Sequence, residues 1–192
     1  MDRRRFVTSA MLAVASAVGG AGTPVAQAAG GGDTFSHSEV LAAAEKFFGK
    51  GAKGLAEVIQ KAFDRYGRPN AYIQGEEGAG AIGVGLRYGK GRLVTRGGGS
   101  RPVWWQGPSI GFDIGGNAAK CFTLIYGLHD TERLFQRFPG VEGSLYFVGG
   151  FSLNYNRTDD ITLAPVRFGV GWRQGANIGY LHFTPKFSPI PI

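Results

Sequence analysis

From Asn70 onward the hydrophobic pattern changes period, and this constrains the fold more than any other feature of the chain. Up to Tyr66 the apolar residues recur at helical spacing. Beyond Asn70 they alternate, as Ile82, Val84, Leu86 and Tyr88 do against Gly83, Gly85 and Arg87. A period of two belongs to a strand with one buried face. The chain carries 33 glycines in 192 residues, and Gly83, Gly85, Gly111, Gly169 and Gly171 lie inside these alternating runs. Glycine within a strand marks sharp coiling or a close approach of another backbone, so the pattern indicates a tightly curled sheet.

The strands are separated by turn signals. Gly89-Lys90-Gly91 reads as a tight hairpin turn before a strand at 92–95, and Gly107-Pro108 divides 103–106 from 109–114. Runs at 119–126, 144–155, 161–172 and 177–184 read as further strands, with a helical turn at 131–138. No helix among them is regular enough for a parallel sheet. The predicted class is mainly β: a small soluble antiparallel β-barrel of about eight strands in meander order over 69–192, with an N-terminal helical segment at 35–68.

In that segment Ser36 followed by Glu39 is a capping box, and 40–48 continues as a helix. Leu55, Val58, Ile59, Ala62, Phe63 and Tyr66 then form one apolar face, which Gly67 and Pro69 end. Such a face covers a sheet or plugs a barrel end. An outer-membrane barrel would also alternate, with Arg87, Asp113, Arg167 and Arg173 lining its lumen. The amphipathic helix and the proline-rich end at 189–192 argue for the soluble form.

Residues 1–28 read as an export signal: Arg3-Arg4-Arg5, an apolar run at 6–18, and the small-residue site Ala26-Gln27-Ala28, followed by a linker at 29–34. Arg3-Arg4-Arg5-Phe6-Val7 fits the twin-arginine pattern, with a general secretory signal as the alternative. Export to the periplasm follows. A composition of 43% hydrophobic and 18% charged residues excludes disorder, and a single cysteine excludes an internal disulfide.

Little in the chain points to catalysis. Gly78 to Gly83 spells G-x-G-x-x-G, but a strand follows it where the dinucleotide fingerprint needs a helix. Glu76-Glu77 reads as a polar turn before a barrel strand. The alternative is an envelope glycan or peptidoglycan hydrolase using Glu76, Glu77 or Asp113, which needs two carboxylates facing each other across a gap of ~5–9.5 Å. Cys121 lies in an apolar strand and reads as a small buried hydrophobe. Three scattered histidines offer no metal spacing, and no cofactor or metal is expected. Charge is more informative. Residues 45–101 carry eleven basic residues against five acidic ones, within a chain of net charge +7. Lys46, Lys50, Lys53, Lys61, Arg65, Arg68, Arg87, Lys90 and Arg92 are the candidate anion- or lipid-binding residues. In the periplasm the partner is envelope lipid or lipopolysaccharide, or an unidentified envelope protein; nucleic acid is not expected, and contact with the membrane is peripheral at most.

The motif 67–73 (GRPNAYI) running into Gly75-Glu76-Glu77-Gly78 resembles the periplasmic envelope-integrity protein A (EipA) family. So do 85–89, Trp105-Gln106-Gly107-Pro108 with Asp113, and Gly169 to Gly171 continuing through 179–181. The likeness covers roughly 35–185. It implies a small soluble periplasmic β-barrel that supports envelope integrity and stress resistance, with no known catalytic residues. A fainter likeness, to the SYLF lipid-binding domain, rests on a helical segment before Gly-rich strands such as 88–94 (YGKGRLV).

Overall fold

Ser36 starts the first helix as its sequence signals. Its Oγ accepts from the Glu39 backbone N–H at 3.3 Å, and its own N–H donates to Glu39 Oε2 at 2.7 Å. Helix α1 runs His37–Phe48 and α2 runs Leu55–Tyr66, closed by Gly67 at φ 73°. The structure is a computed structural model and describes residues 32–80, 85–109, 118–169 and 179–188. The signal at 1–28, the first linker residues, and 81–84 of the alternating run lie outside the described residues. So do Asp113 and most of the 109–114 strand, Gly111, Gly171, Arg173 and the adjoining ends of the last two strands, and 189–192.

The rest is one antiparallel sheet: β1 (Ala71–Gly80), β2 (Gly85–Thr95), β3 (Ser100–Ser109), β4 (Ala119–Tyr126), β5 (Arg137–Pro139), β6 (Tyr146–Val148), β7 (Phe151–Leu153), β8 (Asn156–Thr158), β9 (Ile161–Phe168) and β10 (Tyr180–Thr184). The order is not the expected meander. β1, β2 and β3 follow one another, as do the pairs β6–β7 and β8–β9, but β4 returns to the free side of β1, and β10 takes the free edge of β3. Strand β9 is long enough to hold β7 at one end and β8 at the other. β8 in turn reaches β5 through a bridge between Gly140 and Asn156. Bonds from Asn156 Nδ2 to the Phe138 carbonyl (3.0 Å) and from Thr158 Oγ1 to the Arg137 carbonyl (2.6 Å) support that closure. Eight strands thus form a ring, in the order β5-β10-β3-β2-β1-β4-β9-β8, and the β6–β7 hairpin extends beyond it. Ring closure removes the exposed edges that an open curled sheet would leave.

Alternation gives the sheet two buried faces. On β4, Phe122, Leu124 and Tyr126 join a core with Val40, Ala44, Leu55, Val58, Ile59 and Ala62 of the helices. The intervening Cys121 and Ile125 join the second core, which holds Ile73, Leu93, Val103, Trp105, Phe138 and Phe183 inside the ring. The apolar stripe of α2 is therefore a cover on the outside of the sheet. His37 opens α1 with its ring 5.0 Å from that of Phe63.

Several local expectations fail, for physical reasons. Gly89-Lys90-Gly91 is not a turn; β2 runs straight through it, pairing Gly89 with Trp105 and Gly91 with Val103. A Cβ on Gly89 would lie 2.0 Å from Trp105 Cε2, and one on Gly91 would lie 2.5 Å from the Gln74 carbonyl oxygen. These glycines make room; they do not bend the chain. The turn comes later, where Thr95 and Gly99 are bonded at 3.0 Å and Gly98 takes φ 86°. β3 likewise passes through Gly107-Pro108, because a Cβ on Gly107 would strike the Tyr180 carbonyl oxygen at 2.1 Å. The expected strand at 144–155 is a hairpin, β6–β7, folded over Gly149 and Gly150, both at positive φ. The expected helical turn at 131–138 is a 3-10 turn, Thr131–Leu134, running into β5.

Candidate functional site

Glu77 is the buried charge around which the interior is built. Strand alternation turns it into the ring beside Ala71, Ile73 and Gly75, while its neighbour Glu76 points to solvent. The expected polar turn at Glu76-Glu77 is therefore the later part of β1. Glu77 is 1% exposed. Its Oε1 accepts from Arg167 Nε, its Oε2 accepts from Trp105 Nε1 at 3.0 Å, and Arg87 Nη1 lies 3.9 Å from Oε1. Arg167 continues to Asn154 Oδ1, and Asn154 Nδ2 donates to Asn156 Oδ1 at 2.8 Å. One connected polar path therefore crosses the interior from β3 to β5.

Burial alone would raise the Glu77 carboxyl, but the Arg167 and Arg87 charges and the bonds from Arg167 and Trp105 outweigh it and hold the group below its ordinary value. Burial lowers Arg87 to about 10, against the opposing pull of Glu77. Burial likewise pushes the Cys121 thiol up to about 11, with Glu77 adding to the rise, so Cys121 is an inert buried thiol. Such a carboxylate is ionised and fully engaged.

Outside the ring, Glu76 stands in register between Lys90 on β2 and Lys120 on β4. It borders a groove of about 300 Å³ whose walls include Tyr88, Lys90, Trp104 and Phe187. Glu76 and Glu77 leave the strand on opposite faces, so the two do not oppose each other across a gap. Asp113 lies outside the described residues. Among the described residues there is no cluster of His, Cys, Asp and Glu that could hold a metal ion.

The basic candidates separate into two groups. Arg87 is a correction: at 3% exposed it is an interior residue, because its place in β2 shares the inward parity of Gly89, Gly91 and Leu93. Lys46, Lys50, Lys53, Lys61, Arg65, Arg68, Lys90 and Arg92 are all exposed. Lys61 lies over the Tyr146 ring at 5.4 Å and Arg65 over the Tyr155 ring at 5.0 Å. Arg68 donates to the Phe35 carbonyl at 3.3 Å, and Arg92 to Ser100 Oγ at 3.1 Å. The two helices and the loop between them thus expose four lysines, Lys46 and Lys61 on the helices and Lys50 and Lys53 in the loop. Lys120, which sequence reasoning missed, joins them by donating to the Phe47 carbonyl at 2.9 Å.

The chain matches the family described as envelope integrity protein A (EipA) over residues 33–192. It belongs to that family. Its fold resembles the crystal structure of a β-barrel-like, uncharacterized protein from Brucella abortus, with 41% identity and a TM-score of 0.77, covering 84% of this chain and all of the other. No curated protein matches it. The name of the EipA family points to a role in envelope integrity. Of the described motif residues, Gly75, Glu77 and Trp105 lie together inside the barrel. Gly75 and Glu77 meet Trp105, where a Cβ on Gly75 would come within 2.7 Å of Trp105 Cη2. Gln106, Gly107 and Pro108 continue β3 beside β10 and β2, and Gly78 pairs with Tyr88. Alternation along β9 turns Arg167 inward, but no local signal in the sequence joins it to Glu77, 90 residues away.

Proposed function

We propose that the protein is a non-enzymatic periplasmic component of the envelope that supports integrity and stress resistance by binding an anionic surface through its helical cover. The observation that carries this reading is the placement of Lys46 and Lys61 on the solvent side of the helices and of Lys50 and Lys53 in the loop between them, all exposed, with no acidic residue between 46 and 53. Each basic residue near an anionic membrane contributes about 1 kcal/mol. The export signal and the name of the EipA family support the compartment. A non-catalytic role is supported by Glu77, which is spent on the interior network, and by Glu76, which faces away from it.

The test is co-sedimentation with phosphatidylglycerol vesicles and with neutral phosphatidylcholine vesicles over a salt series. The protein is expected to bind the anionic vesicles only, and to release them as the Debye length falls from about 10 Å at 0.1 M to about 3 Å at 1 M. Lys46→Glu, Lys50→Glu, Lys53→Glu and Lys61→Glu together should abolish binding. Equal binding by the reversed variant would sink the reading and leave an envelope protein as the partner.

A further inference from the structure

We infer that Phe168, backed by the half-buried Phe47 and Phe48, forms the point at which the protein seats on an anionic phospholipid bilayer, its ring entering the headgroup region and the lysines around it facing phosphates. This rests on the anionic-surface reading above and locates its contact. Phe168 ends β9 and is 44% exposed, on the same side of the sheet as the helices. It stands on Phe151 at 4.7 Å and beside Phe48 at 6.4 Å, and Phe47 lies 5.0 Å from Phe48. Phe168 covers the buried Phe151 with one side of its ring and leaves nearly half of its surface to solvent.

Its surroundings are cationic. Lys120 is the register partner of Phe168, and its Nζ lies 5.4 Å over the Phe47 ring. Lys46 precedes the two phenylalanines of α1, and Lys50 and Lys53 follow them. The loop that carries these lysines is fixed against the β6–β7 turn. A Cβ on Gly54 would lie 2.6 Å from the Val148 carbonyl oxygen, and one on Gly149 would lie 2.2 Å from that of Lys53. The next residue, Gly150, lies against the Phe168 ring, which a Cβ there would meet at 3.3 Å. Lys53 and Phe168 therefore flank one turn. An aromatic ring encircled by lysines, presented on a preformed surface, matches the apolar-over-anionic layering of a bilayer interface. An acidic protein groove would match the charge without needing the exposed ring.

The experiment uses two readouts. An environment-sensitive fluorophore is attached through Phe168→Cys in a Cys121→Ser background, with Arg157→Cys as the control, since β8 lies at the other end of β9. Phosphatidylglycerol vesicles should shift the emission at 168 to the blue and leave that at 157 unchanged. Separately, Phe168→Ser should weaken vesicle affinity about tenfold in a protein that still unfolds in one cooperative transition. Unchanged affinity in Phe168→Ser with an unshifted label at 168 would overturn this inference and leave the anionic-surface reading standing. No vesicle binding by the unmodified protein would overturn both. Binding to lipopolysaccharide but not to phosphatidylglycerol would overturn the choice of a phospholipid bilayer.

Discussion

The indole of Trp105 fills the space above Gly89, where a Cβ would come within 2.0 Å of Cε2. The same indole donates from Nε1 to Glu77, so one side chain explains both a glycine inside a strand and a carboxylate inside a barrel. Gly89→Ala should displace the indole and stretch that bond. A loss of about 1–3 kcal/mol is expected from overpacking, read from urea midpoints. A midpoint equal to that of the parent would mean the ring can move aside freely.

Glu77 and Glu76 should separate cleanly on mutation. Glu77→Gln leaves Arg167 and Arg87 without their carboxylate in a buried site, and breaking such a pair costs about 3–5 kcal/mol. Glu76→Gln alters a solvent-facing residue and should stay within about 0.5 kcal/mol of the parent. Chemical denaturation of both variants decides this. A stable Glu77→Gln protein that loses envelope protection in cells would favour the hydrolase alternative.

Acid should destabilise the protein through Glu39, Glu77 and Asp160, the last held low by its bond from Arg133. The Ser36 backbone bond, with Arg96, holds Glu39 at about 2 against an ordinary 4.5, and Glu77 is also held low. A carboxyl with a depressed folded pKa contributes stability in full above its unfolded value and loses it as pH falls through the folded one. Stability should therefore fall from about pH 4.5 toward about pH 2. Glu39→Gln should fall less steeply in denaturation curves taken at stepped pH. Parallel curves for the two proteins would contradict the assignment.

The helical cover should matter to stability as much as the barrel interior does. Ile59 is fully buried between α2 and the sheet, and Ile59→Ala should cost about 2–5 kcal/mol. A small change in thermal melting would mean that α2 is only loosely seated.

What the sequence conveys depends on how local its cause is. The period change at Asn70, the Ser36–Glu39 cap and the apolar stripe of α2 act over a few residues, and each predicts the element observed. Gly89-Lys90-Gly91 has the local signature of a turn, yet its conformation is decided by Trp105, which lies on another strand. The meander order fails for a similar reason, since β10 closes on β3 through contacts that no neighbouring residue announces. Alternation puts Arg87 and Arg167 on the inward face, but composition alone counts Arg87 with the surface charges. Lys120 and Phe168 belong with Phe47 only because β4 and β9 pair beside the end of α1.

The proposed envelope role rests on the lysines of the two helices and of the loop between them. The most direct measurement is detergent resistance of cells whose only copy of the protein carries Lys46→Glu, Lys50→Glu, Lys53→Glu and Lys61→Glu. These four residues are exposed, so the variant should fold and accumulate normally. Sensitivity like that of cells without the protein is the predicted result. Full resistance from a variant present at normal abundance would contradict it.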